Sequence, residues 1–456
     1  MTDAAEAPAL KRMQSPAYRG WVLGLFMLIT LFGFADRQVI TVLGQAIKHD
    51  LSLTDGQLGL VVGLAFALFN TVLTVPIARL ADRTRRVTLI TAGVFMWSLA
   101  TCLCGLVRSF PQLILARALV GVGEATGAPA TSSVIADYFP RDRRASAMAW
   151  FSLAIPLGAL VGGAGGGWIA QHADWRSAFV IAGLPGVVLG LLLVTTIREP
   201  LRGHYDPPAE GAMPGLLSVL KRMVARPSFL HTALGSTIVS TAGFGIISFH
   251  APYFFRRFGL DYAQAGLLGG LISAVPGSLC MLGAGLLADR LGRRDPRFYG
   301  WVPAVGALAA TPGYIIAFLQ PGWIAATTVL MLTGLFQYAY LPVSLGIYQN
   351  TMEPKMRASS VAVVNIGTNL VSAGLGPLLV GMLSDVLAQR AFAAGGGGDF
   401  HAVCKGALGA QTAAAGACGH ASMSGLQWAC MLAALLYLWG AVHFVLAART
   451  VKRDMA

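Results

Sequence analysis

Runs of about 20 apolar residues, the length that crosses a hydrocarbon core of roughly 30 Å at 1.5 Å per residue, recur along this chain between short polar or basic breaks. Twelve are read: Trp21–Leu43, Leu58–Ala78, Val87–Val107, Gln112–Ala136, Ala145–Ala170, Ala178–Ile197, Phe229–Phe249, Ala265–Leu287, Tyr299–Leu319, Trp323–Tyr348, Ala358–Leu383 and Leu426–Leu446. They predict an all-α membrane protein of twelve transmembrane helices. The first 20 residues are too polar for a secretory signal and no cleavage pattern follows the first span, so the chain is expected to insert through its own helices.

Composition agrees. Hydrophobic residues make up 55% and charged residues 12% of the chain, against about a quarter charged in soluble domains. In a soluble protein the net charge of +13 would suggest nucleic acid; here the placement of the basic residues decides. With the N-terminus cytoplasmic, 24 of the 33 Lys and Arg residues fall in cytoplasmic segments, 7 outside and 2 within spans. The positive-inside rule prefers that orientation. The expected setting is therefore a cell (inner or plasma) membrane with both termini cytoplasmic and no nucleic-acid partner.

A polar stretch with Pro207, Pro208 and Pro214 separates two groups of six spans. The expected organisation is an N-terminal six-helix half (1–197), a cytoplasmic linker (198–228) and a C-terminal half (229–456) with a Gly- and Ala-rich external loop (389–424). Cys102, Cys104, Cys280 and Cys430 lie in spans and read as core filler. Cys404 and Cys418 share the external loop, where they form a disulfide or stay as two thiols; His401 and His420 nearby make zinc a third reading, though no metal site is expected.

The run Gly285-Leu-Leu-Ala-Asp289-Arg290-Leu-Gly292-Arg293-Arg294 at the cytoplasmic end of the eighth span has an imperfect twin, Ala78-Arg-Leu-Ala-Asp82-Arg83-Thr-Arg85-Arg86, 207 residues earlier. Arg144-Ala-Ser-Ala and Arg357-Ala-Ser-Ser form a second pair 213 residues apart. The halves are thus parallel repeats.

Duplicated halves, the Gly-x-x-x-Asp-Arg-x-Gly-Arg-Arg signature and twelve spans together resemble the major facilitator superfamily over essentially the whole chain. The resemblance implies a cytoplasmic latch of Gly285, Asp289, Arg290 and Arg293 with Asp82, Arg83 and Arg86 as the matching copy, against a simpler reading as a basic topology signal. The first copy lacks both glycines, which puts its tight turn in question. Glycines of the fifth span (Gly158, Gly162, Gly163, Gly165, Gly166, Gly167) and the eleventh (Gly367, Gly374, Gly376, Gly381), with Pro156 and Pro377, permit close helix approach and bending.

Asp36, Arg37, Arg117 and Glu124 lie inside spans, where a charge costs about 2.5–3.5 kcal/mol and normally faces a bundle interior or wet path. Arg117 and Glu124, seven apart, sit about 10 Å apart along one helix face. Asp36 falls at the depth of Arg117 and is expected to pair with it; for Glu124 the expected partner is Arg117. Either Glu124, with Asp36 and Arg117, couples transport to protons, or the four form a permanent network that pins two helices. The 213 offset maps Glu124 onto Gln337, so the second half offers neutral groups: Gln337, Tyr338, Tyr340, Tyr348, Asn365 and Asn369. Arg37 and Arg117 with Gln337, Tyr338, Asn365 and Asn369 are the candidate contacts of an amphipathic substrate, the aromatics reading equally as packing. His250 reads as an interfacial histidine.

The stretch Arg117-Ala-Leu-Val-Gly-Val-Gly-Glu124-Ala, running on to Ala136-Asp137-Tyr138-Phe139-Pro140, resembles the fourth helix of the spinster branch, and Phe34-Ala-Asp36-Arg37 agrees. That resemblance implies a secondary transporter of lipid-like molecules, some members being proton-linked; since one chain supplies both halves of a pathway, it is expected to act as a monomer in the bilayer, without a cofactor. A transporter of small organic anions, carboxylates or sugar phosphates, is the competing reading. An intramembrane enzyme is disfavoured because no second in-plane acid or nucleophile and base accompany Glu124, and no P-loop is present.

Overall fold

The computed structural model describes residues 15–202, 215–353, 355–404 and 413–455. Among the described residues there is no β-strand, and eleven helices are long and apolar enough to cross a membrane. The fourth span completes twelve: it is broken into Phe110–Glu124 and Gly127–Tyr138. The helices often outrun the apolar stretches, as in the eighth, Tyr262–Gly292, and the twelfth, within Gly416–Met455. A helix can run on past its apolar stretch because its backbone hydrogen bonds do not depend on side-chain polarity. Of the expected linker, 203–214 lies outside the described residues, and Leu216–Val224 is helical.

The chain forms two compact units. One comprises Met1–Leu43 and Leu68–Gly211, the other Gly44–Ala67 and Ala212–Ala456.

In the first unit, span one (Pro16–Val42) rests on the glycine face of span five (Ser146–His172). A Cβ on Gly162 would come within 2.5 Å of the Ala35 Cα, and one on Gly166 within 2.9 Å of a Val39 methyl; Gly158 abuts Leu31 and Phe34 in the same way. Residues i, i+4 and i+8 share one face, so this stripe is packing, whereas Gly165 would meet nothing within 4 Å. The third span (Arg86–Cys104) and the fourth meet glycine to glycine: a Cβ on Gly93 would stand 2.7 Å from the Gly123 carbonyl.

In the second unit, the amino-terminal part of span two (Asp55–Ala81) packs along span eleven (Ser359–Ala394). Each carries a π-helical segment, Leu60–Leu64 and Asn369–Leu375, and a Cβ on Gly63 would meet the Gly374 carbonyl at 2.6 Å. The repeat is visible in backbone detail. Thr54 opens span two with a capping box to Gln57, and Asp261, 207 residues on, opens span eight with the same box to Gln264. Cys404 and Cys418 are disulfide-bonded with Cα atoms 5.6 Å apart.

Candidate functional site

The first and fourth spans bring the four intramembrane charges together in the first unit. Arg117 Nη1 donates to Asp36 Oδ2 at 3.3 Å, with both side chains sealed from solvent (1% and 0% exposed). Glu124 takes a partner that the sequence reading did not assign. Arg37 Nε donates to Glu124 Oε2 at 2.9 Å, and Arg37 Nη2 reaches the same oxygen. This corrects the expected pairing of Glu124 with Arg117: on span one the charges run acid then base, on span four base then acid, and adjacent residues of span one serve opposite ends of the seven-residue interval.

The two pairs differ in access. The Arg37 side chain is 35% exposed and Glu124 is 9% exposed. Arg37 also lies over the Phe34 ring, 4.8 Å from its centroid, a placement that favours a cation. Glu124 Oε1 and Asp36 Oδ1 are buried with no hydrogen-bond partner. Each carboxylate therefore keeps one buried oxygen outside its ion pair. The rotation of span one is set by Ala35 against Gly162, and the approach of span four by Gly123 against Gly93, so neighbours in sequence of Asp36 and Glu124 fix their direction.

Glu124 is the last residue of its helix segment. Thr126 N–H turns back to the Gly123 carbonyl at 3.3 Å and Thr126 Oγ1 donates to it at 2.8 Å. The sequence cause is Pro129, which has no N–H for the carbonyl of Ala125. The tenth span repeats this at the 213 offset: Trp323–Gln337 ends at Gln337, Ala339 N–H returns to the Phe336 carbonyl at 3.3 Å, and Pro342 withholds the N–H that Tyr338 would need. Leu341 N–H takes the Tyr338 carbonyl instead, at 3.1 Å. The proline pair was a readable signal for both breaks.

The second-half candidates do not converge. Gln337 is buried and its Oε1 accepts from the Tyr314 hydroxyl. Gly243 of span seven (Pro227–Ser248) lies against the Gln337 amide, where a Cβ would stand 2.9 Å from Nε2. Tyr338 packs instead against Gly277 of span eight. Tyr340 bonds Ser240 at 2.7 Å, and Tyr348 bonds Ser236 at 3.3 Å. Asn365 and Asn369 are both exposed, one turn apart on span eleven.

Among the expected latch residues, Arg86 is a buried hub inside the first unit. It donates to Asp137 Oδ2 at 2.5 Å, Ser133 Oγ at 2.8 Å and Glu199 Oε1 at 2.9 Å, while Val87 N–H binds the other Glu199 oxygen at 2.8 Å. Glu199 was missed: its Glu-Pro context marks only the end of span six (Trp175–Thr196). Asp289 accepts from Tyr299 at 3.1 Å; Arg83, Arg290 and Arg293 are exposed, Gly285 faces Pro342, and the Asp82 side chain lies outside the described set.

Twelve apolar helices with duplicated helix breaks and ion pairs inside the spans define a multi-pass membrane protein. The family model of the Major Facilitator Superfamily matches residues 25–377, and the chain belongs to that family. It is 32% identical over 96% of its length to an MFS-type efflux pump of Mycolicibacterium smegmatis, covering 94% of that protein. It is 28% identical over 82% of its length to protein spinster homolog 1 of Homo sapiens, covering 75% of it. To a probable galactarate/D-glucarate transporter, GudP, of Bacillus subtilis it is 23% identical over 83% of its length and 88% of that protein. The crystal structure of a bacterial homologue of the human lysosomal transporter Spinster, inward-facing and unoccupied, matches with a TM-score of 0.89 at 32% identity, covering 96% of this chain and 99% of that one.

Proposed function

We propose that this spinster-like transporter moves a lipid-like or amphipathic molecule by alternating access, driven by protons that Glu124 carries with the help of Asp36 and Arg117. The observation that carries the reading is the unequal access of the two ion pairs: Arg37–Glu124 is partly open, and Asp36–Arg117 is sealed. While Glu124 is ionised it holds Arg37. A proton on Glu124 removes the attraction and frees the guanidinium for the anionic or polar head of a substrate, so proton and head bind in concert. The sealed pair anchors span one to span four while this exchange runs.

In this reading Arg37, the more open of the two guanidinium groups, serves the head, while Arg117 stays paired with Asp36. Each basic run, Asp82, Arg83 and Arg86 in the first unit and Gly285, Asp289, Arg290 and Arg293 in the second, serves cytoplasmic gating of its own half, with Arg86 held by Asp137 and Glu199. The protein works as a monomer in a cell membrane with both termini in the cytoplasm, and the two halves are 1–197 and 229–456.

The test is transport in liposomes. Glu124→Gln is expected to abolish accumulation driven by a pH gradient while keeping substrate counterflow. Full proton-dependent transport by that variant would refute the coupling. A second reading, transport of a small organic anion, is favoured by the likeness to the sugar-acid transporter. Thermal stabilisation by lysolipids but not by soluble dicarboxylates supports the first, and the reverse supports the second.

A further inference from the structure

The second unit holds a cavity of about 720 Å³ that the transport reading does not use. It opens at the end of the unit that carries the Cys404–Cys418 disulfide, the end expected to face away from the cytoplasm. Its lining includes Lys48 and Arg256, with His49 and His401, but no carboxylate among the described residues. Phe255 and Tyr262, stacked with centroids 5.2 Å apart and planes 16° from parallel, give it an aromatic wall, and Phe400 adds to it.

Donors are in surplus at its floor. Arg256 is largely spent: it grips both oxygens of Asp55 at 2.5 and 2.6 Å, gives its Nε–H to Gln45 Oε1 at 3.1 Å and sets Nη1 3.5 Å from the Ser422 carbonyl. That last bond fixes the Gln45 amide, so its NH₂ points the other way; Gln45 Nε2 is buried with no acceptor. Lys48, 9% exposed, spends one N–H on Asp55 Oδ1 at 2.7 Å and has two more to give. Burial pulls the Lys48 ammonium below the ordinary lysine value despite Asp55, so its charge gains from any further acceptor. A buried amide donor without an acceptor calls for a water or an ion, and beside a cation and an aromatic wall the acceptor that answers every feature is an anion attached to an apolar ring or short chain.

We infer that this cavity is a second binding site, separate from the charges of spans one and four, for an organic anion held by Lys48 and the Gln45 amide with its apolar part on Phe255 and Tyr262. Phenyl phosphate is the probe, titrated calorimetrically into the full chain in nanodiscs, with phenol and inorganic phosphate as controls. Saturable binding of phenyl phosphate and none of either control is expected. Lys48→Gln should weaken it roughly tenfold or more, the loss of one charge-assisted contact. Gly419→Phe should weaken it as well by filling the cavity from a position where a Cβ meets nothing within 4 Å, with an unchanged melting temperature showing that the fold is intact. Absence of saturation would mean that water alone satisfies the donors; equal binding of phenol would mean an apolar hollow; indifference to both variants would place the ligand elsewhere. Each of these overturns the inference, and none bears on Glu124.

Discussion

Glu124 and Gln337, 213 residues apart, stand at the same point of the two repeats: each closes a 15-residue helix segment just before a break imposed by a proline five residues on. One carries charge and is held by Arg37; the other is neutral and held by Tyr314. Gln337→Leu is expected to cost about 1–3 kcal/mol, because the buried Tyr314 hydroxyl loses its acceptor. Gln337→Leu with Tyr314→Phe should recover most of that loss in thermal unfolding in detergent.

The sealed pair gives a sharper case. Asp36→Asn leaves the Arg117 guanidinium buried beside a neutral amide, and removing one partner of a buried ion pair costs about 3–5 kcal/mol. A double variant, Asp36→Asn with Arg117→Met, is expected to melt above the single one. A single variant as stable as the parent would show that the pair contributes nothing.

Gly162→Leu drives a side chain into the backbone of Ala35. Overpacking of this kind costs about 1–3 kcal/mol or more, and it displaces Asp36, one residue on. Lower melting temperature and lost transport should appear together, while Gly165→Ala, with open space at that position, leaves both unchanged.

Asp385 reinforces the Thr54 cap at the start of span two: its oxygens accept from the Asp55 and Gly56 N–H groups at 2.9 and 2.7 Å. Loss of a helix N-cap costs about 0.5–2 kcal/mol. Asp385→Ala should therefore speed amide hydrogen exchange at residues 55–59 selectively, with little change in the eighth span, whose cap is its own Asp261.

The disulfide closes a 14-residue separation. A loop of that size is worth about 3 kcal/mol in the chain-entropy account. Cys404→Ser with Cys418→Ser should lower the melting temperature, and reductant should lower that of the parent but not of the variant.

The order of apolar runs, the asymmetric basic residues and the 207 and 213 offsets determined the helical membrane fold and its duplication, because burial in hydrocarbon demands length and apolarity that are written locally. The same local logic marked Asp36, Arg37, Arg117 and Glu124, since charge inside a span needs a reason wherever it occurs. Proline positions already held the breaks after Glu124 and Gln337. Which charge meets which was decided only by tertiary structure: the rotation of span one comes from Gly162 on Ala35, and the approach of span four from Gly93 on Gly123. Those contacts turn Arg37 toward Glu124 and Asp36 toward Arg117. In the second unit, the close approach of Gly59 to Pro377 and of Gly381 to Asp55 brings Asp385 to the amino end of span two from 330 residues away. Local pattern fixes how far along a helix a residue lies, but its angular position relative to a neighbouring helix depends on side-chain shapes contributed by both, and no single segment contains that information.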